Sequence, residues 1–207
     1  RRMAESRGVV VKEWVIDPVT GLLDPEDLFP LLSEQTRWVF FTHCSNIVGT
    51  VNPVADIVSG IRQRCPAKVC VDAVAYAPHH ICDVSALDVD LYFFSLYKVF
   101  GPHQGLMYIR SGLRESLPPQ SHYFVEGDSH KRFNPAGPQH AQVAGCHGVL
   151  EYFDALHRHH GGNETASTRE RLQSVYALTA NYEEQLAAPL LDFLDHSPQV
   201  RLLGKNH

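Results

Sequence analysis

Leu91-Tyr92-Phe93-Phe94-Ser95-Leu96-Tyr97-Lys98 is the most telling passage of the chain. Its first four residues make a short, wholly apolar run, as in a strand buried on both faces of a parallel sheet. The run stops at Ser95, and a lysine follows three residues later. Two runs of the same kind lie upstream. Trp38-Val39-Phe40-Phe41-Thr42 is nearly all apolar, and Val69-Cys70-Val71 ends at Asp72. Downstream, Leu106-Met107-Tyr108-Ile109 supplies a fourth. Between the first two runs, Pro53 to Arg64 carries Val54, Ile57, Val58 and Ile61 at helical spacing. Short buried strands separated by crossovers of helical length predict an α/β chain with a mixed, mostly parallel sheet.

Further out the signals are more varied. Gly8 to Ile16 alternates and predicts a strand, and Asp24-Pro25-Glu26 opens a helix with Asp24 as N-cap. Pro118 to Gly137 reads as a long loop. From about Ala141 the pattern turns helical, and Thr165 to Leu194 forms a long amphipathic stretch with a break expected near Pro189. Val200 to Leu203 predicts a last strand.

Composition sets limits on partners. The 207 residues carry a net charge of -5 with 44% hydrophobic content, which offers no electrostatic footprint for nucleic acid. No apolar run approaches the roughly 20 residues that span a bilayer, and the polar start lacks the apolar block of a secretory signal. The 5 cysteines are odd in number and form no C-x-x-C pair, which predicts a reducing, cytoplasmic setting and packed thiols, Cys44 included. His79-His80 and His157-Arg158-His159-His160 lack carboxylates or cysteines at ligand spacing, so no metal site is expected. His79 reads as a packing residue, and Gly101-Pro102-His103-Gln104-Gly105 as a loop into the next strand.

The chemistry gathers where strands end. In open α/β sheets, ligands bind outside the carboxyl ends of the strands. Asp72 and Ser95 close two such strands, and Lys98 follows. A lysine amine forms imines once burial or a neighbouring cation lowers its pKa, and a carboxylate beside a pyridine nitrogen keeps that nitrogen protonated. Together they match the needs of pyridoxal 5′-phosphate (PLP) as an electron sink. Taken singly, Asp72 would serve equally as a turn former and Lys98 as a surface lysine.

Three ordered words narrow the choice: Thr42-His43-Cys44-Ser45-Asn46-Ile47-Val48-Gly49-Thr50, Val71-Asp72-Ala73-Val74-Ala75-Tyr76-Ala77-Pro78-His79 and Phe94-Ser95-Leu96-Tyr97-Lys98-Val99-Phe100-Gly101-Pro102. From about residue 8 onward the chain resembles the class V aminotransferase family, in particular its cysteine desulfurase-like branch of fold-type I PLP enzymes. The resemblance implies a three-layer α/β/α large domain, of which residues 1–153 would be the C-terminal half. Residues 154–207 would begin a smaller α+β domain. It implies Lys98 as the Schiff-base lysine that moves protons at the substrate α-carbon, and Asp72 as the partner of the pyridine nitrogen. Ser95 would bind the cofactor phosphate, and Asn46 would lie near the phenolic oxygen and the substrate carboxylate.

Two cofactor-contacting positions depart from the family's usual residues: Ala75 stands where glutamine is common and Tyr97 where histidine is common. Ala136-Gly137-Pro138 lacks the threonine of the G-T-P segment. The implied activity is aminotransferase-like or desulfurase-like on a small amino acid, in a homodimer. An epimerase or lyase relative is the alternative chemistry. The family's upstream phosphate-binding helix and ring-stacking aromatic have no counterpart here, so a fragment is expected, and a fragment without catalysis stands as the second alternative.

Overall fold

The computed structural model describes residues 2–125, 127–128, 131–134 and 136–203. Its centre is built from the apolar runs. Trp38–Thr42 (β1), Lys68–Asp72 (β2), Leu91–Ser95 (β3) and Gly105–Ile109 (β4) form a 4-stranded sheet in the order β1-β2-β3-β4. β1, β2 and β3 run parallel, and β4 returns antiparallel to β3 after a short connection. The helices, in chain order, are α1 (Arg2–Glu5), α2 (Pro25–Leu28), α3 (Val54–Arg62), α4 (Val84–Leu87), α5 (Ser111–Ser116), α6 (His140–Gly145), α7 (His147–His159) and α8 (Thr168–Asp195). The expected α/β class and mixed, mostly parallel sheet are present.

Side chains on α3 explain the crossover. Val54, Ile57, Val58 and Ile61 lie on one helical face, and all four are buried with Val39, Phe41, Val69, Val71 and Tyr92. Burying each such side chain contributes about 1.5–3 kcal/mol, so this face fixes the helix on the sheet. A second cluster joins Leu96 and Val99, just past β3, to Val149 and Phe153 of α7 and Val175 of α8. The opposite sheet face is open: Phe40 is 66% and Met107 51% exposed, and Trp38 stacks on Phe40 with ring centroids 5.5 Å apart. The division expected between residues 153 and 154 falls within α7.

Three expectations are corrected. Gly8 to Ile16 forms no strand; side chains tether it instead, with Lys12 Nζ donating to the Leu31 carbonyl at 2.8 Å and Trp14 Nε1 to the Asp24 carbonyl at 2.9 Å. Its alternation reflects Trp14 packing edge-on against Phe41, while Val10 stays 83% exposed. Val200 to Leu203 is likewise no strand. α8 runs unbroken through Pro189. The Gln185 carbonyl that loses its donor there lies on an exposed part of the helix, where water can replace the bond.

Two buried polar groups tie the sheet together. Asp90, 2% exposed, precedes β3 and accepts from Arg62 Nη2 at 2.7 Å and from the Val69 N–H at 2.8 Å, with Arg110 Nε 3.4 Å away. One carboxylate thus links α3, β2 and the end of β4. At the other end of the strands, His43 is 4% exposed, its Nδ1 is 2.8 Å from the Tyr92 hydroxyl, and its ring lies 3.4 Å from that of Tyr76. Burial, with the nearby charge of His80, lowers the His43 pKa from 6.5 to about 4.

Asp90→Ala strands Arg62 without its partner and should destabilise the protein by about 3 kcal/mol, with Asp90→Asn recovering part of that, as read from urea midpoints. His43 supplies a pH signature. Its folded-state pKa lies below the unfolded value, so the unfolded chain takes up the proton first. Stability from this group is complete above pH 6.5 and is lost as pH falls to about 4. The loss should reach roughly 3 kcal/mol. His43→Phe should flatten that part of the stability–pH curve, and an unchanged curve would contradict the assignment.

Candidate functional site

The parallel register places the polar strand ends side by side. Thr42 pairs with Asp72, Asp72 with Phe93, and Ser95, two residues on, with Gly105. Asp72 is half-buried. Its Oδ1 accepts from the Val74 N–H at 2.9 Å, and its carbonyl accepts from the His43 N–H at 2.7 Å. Its Oδ2 has no hydrogen-bond partner among the described residues. The turn after it is closed by the Tyr76 and Ala77 N–H groups, both donating to the Ala73 carbonyl, and it carries Ala75 half-buried.

Ser95 opens a single 3-10 turn, Leu96–Val99. Leu96 and Val99 point into the α7–α8 cluster, which leaves Tyr97 and Lys98 outward and exposed. Phe100 follows in the left-handed region at φ 62°, and Gly101 then passes close under α7. A Cβ there would lie 2.8 Å from Val149 Cγ2 and 3.0 Å from Leu96 Cβ, so only glycine lets the turn sit this near the helix. Neither the Lys98 ammonium nor the Ser95 hydroxyl has a hydrogen bond or ion pair among the described residues.

The remaining sequence-derived positions lie at the margins. Asn46 is exposed in the loop after β1, where the Ser45 hydroxyl accepts from the Ile47 and Val48 N–H groups at 3.3 Å each and Gly49 turns at φ 68°. Tyr97 stacks on His103 with centroids 4.9 Å apart. The structure therefore brings Asp72, Ala75, Ser95 and Lys98 to adjacent strand ends. Asn46 and Tyr97 stand on the segments flanking them. A groove of about 500 Å³, lined by residues such as Asp17, Leu22, Val48 and Leu203, touches none of the six.

Sequence reading passed over two features around the acid. One is the ring ladder His43–Tyr76–His80, with centroids 3.4 Å and 4.6 Å apart, which backs the Asp72 turn. The other is a row of α8 contacts to the segment after Asp72, in which His79 pairs with Glu183 at 2.9 Å. Histidines and tyrosines near a motif were visible as letters, but their stacking depends on the register of β1 against β2. Burial raises the thiol pKa of Cys44, Cys82 and Cys70, the last to about 11, so these cysteines stay protonated at neutral pH. Among the described residues no group of three or more metal-binding side chains converges, and no helix is long and apolar enough to cross a membrane.

Comparison with known proteins gives the arrangement a family. The family model described as aminotransferase class-V matches residues 1–207. An aminotransferase-like protein, FGM3, of Gibberella zeae is 34% identical over 98% of this chain and 47% of its own length. A cysteine desulfurase of Dickeya dadantii is 34% identical over 99% of this chain and 48% of its own length. Among solved structures, a NifS-like protein matches with a TM-score of 0.64 at 27% identity, covering 73% of this chain and 40% of that one. The fold also matches the cysteine desulfurase CsdA of Escherichia coli with a TM-score of 0.73 at 22% identity, over 95% of this chain and 47% of that one. The chain spans about half the length of the curated relatives it matches. With a family match along its whole length, the chain belongs to the aminotransferase class-V family.

Proposed function

We propose that this chain carries the lysine half of a PLP site in an enzyme that works on a small amino acid, in the manner of a cysteine desulfurase or an aminotransferase. One observation carries the reading: an outward lysine, without an ion pair among the described residues, sits in the 3-10 turn after Ser95, beside a strand whose end bears a carboxylate with one oxygen that accepts no hydrogen bond from them. The donor set fits the cofactor. It offers an amine for the aldehyde, a carboxylate for the ring nitrogen and a hydroxyl for the phosphate, none of them consumed by a neighbouring side chain among the described residues. The relatives named cysteine desulfurase and aminotransferase-like protein support the substrate class.

When bound, PLP supplies an electron sink that stabilises negative charge at the substrate α-carbon. The chain's own residues set up the rest. Val74 N–H holds Asp72 Oδ1, which leaves Oδ2 as the oxygen that would pair with the ring nitrogen and would keep it protonated. Lys98 holds the cofactor in the resting enzyme and then carries the proton at the α-carbon. Ser95 donates to the phosphate, Tyr97 offers a further hydroxyl beside it, and Asn46 offers its amide to the substrate carboxylate. Ala75 has only a methyl group and would make no hydrogen bond to the phenolic oxygen, so that contact would fall to other groups. The same reading makes the full protein a cytoplasmic homodimer.

The test uses the full-length natural protein mixed with PLP. It should develop a visible absorption band that borohydride bleaches. Lys98→Ala should abolish the band, and Asp72→Asn should weaken cofactor retention by about 10-fold or more, the scale of a lost charged hydrogen bond. A band that survives unchanged in Lys98→Ala would overturn the proposal.

A further inference from the structure

Three residues of α8 meet the segment that follows Asp72, and they are evenly spaced. Arg169, Tyr176 and Glu183 are seven residues apart, two helical turns each, and so lie along one stripe. Arg169 Nη2 pairs with Asp83, the Tyr176 hydroxyl donates to the Ala77 carbonyl at 2.9 Å, and Glu183 pairs with His79 Nδ1 at 2.9 Å. The partners lie 86, 99 and 104 residues away in sequence. All three fall on the segment that follows Asp72, through Asp83, which forms no strand and is held by local turns.

The contacts differ in weight. The outer two are exposed side-chain contacts, an ion pair with side chains 59% and 30% exposed for Arg169–Asp83 and a hydrogen bond with side chains 51% and 49% exposed for His79–Glu183, and such surface contacts contribute little to stability. The middle one is sheltered. Ala77 is 1% exposed, and Tyr176 packs in the cluster of Leu96, Val99 and Phe153. Tyr176 thus touches two parts of the site at once: its hydroxyl holds the Asp72 segment, and its ring packs in the cluster that anchors the turn bearing Lys98. On the far side, Tyr76 is pinned by its stack on His43.

Resting on the cofactor reading above, we infer that α8 is a positioning element for the PLP acid: Tyr176, flanked by Arg169 and Glu183, sets where Asp72 stands relative to Lys98. No hydrogen bond or ion pair links the three to Asp72 or Lys98 among the described residues, so they act through the backbone that follows Asp72.

The experiment compares Tyr176→Phe, alone and with Glu183→Gln, against Tyr182→Phe in the full-length protein. Tyr182 is an exposed tyrosine of the same helix off this stripe, whereas Tyr176→Phe keeps the packed ring and removes only the hydroxyl. Amide hydrogen exchange at residues 74–80 should become about 5-fold faster in Tyr176→Phe, the scale of one net hydrogen bond, and faster again in the double variant. PLP dissociation should accelerate by a similar factor, and the pH midpoint of the visible band should shift. Tyr182→Phe should match wild type in all three. Unchanged exchange in Tyr176→Phe would overturn the inference, as would faster exchange with PLP release and the band unaltered. Loss of the band in wild type itself would overturn the cofactor reading and this inference with it. A wild-type band that ignores Tyr176→Phe overturns this inference alone.

Discussion

Parallel pairing of β1, β2 and β3 brings like ends of the strands to one edge, and the rest of the structure depends on that register. With Thr42 opposite Asp72 and Asp72 opposite Phe93, the carboxylate and the Ser95 hydroxyl stand on neighbouring strands at the same edge. A slip of one residue would turn Asp72 to the face that α3 covers, where Val71 now packs. The apolar face of α3 therefore guards the chemistry. Its four buried side chains fix which face of β2 points inward, and so which way the acid points.

Lys98 depends on a different constraint. Its turn is anchored by Leu96 and Val99 in the α7–α8 cluster, and Gly101 lets the chain pass under α7 without collision. Apolar residues on either side of the pair Tyr97-Lys98 turn that pair outward. The strand that carries the acid is oriented by the cluster on α3 and the lysine's turn by the cluster on α7 and α8, while the Tyr176 hydroxyl of α8 also reaches the segment after the acid. Both clusters draw on Phe94 and Cys82, so the two positions are mechanically linked.

Much of this was legible in the sequence where one local rule governed. The apolar runs ending at Thr42, Asp72 and Ser95 were legible as strands of one sheet, although only the face that α3 covers is sheltered and Phe40 on the other face stays 66% exposed. The ordered words around Asn46, Asp72 and Lys98 located the site's parts. Gly8 to Ile16 was misread because alternation satisfies tethering through Trp14 as well as it satisfies a sheet. Pro189 was read as a break because its local cost is real, yet it falls where the helix surface is wet. The stripe of Arg169, Tyr176 and Glu183 was out of reach, since heptad spacing on an amphipathic helix does not name the loop it meets. Likewise, His43 appeared as a motif letter, and its burial against Tyr76 and Tyr92 emerged only from the paired strands.

The central claim is that one particular lysine holds the cofactor. The most direct measurement reduces the PLP-loaded full-length protein with borohydride, digests it and maps the modified peptide by mass spectrometry. The account predicts the label on Lys98, within the peptide that begins after Arg64 or Lys68 and runs through the Ser95 turn. Label on Lys68, Lys131 or another lysine instead, or no labelled peptide at all, would contradict it.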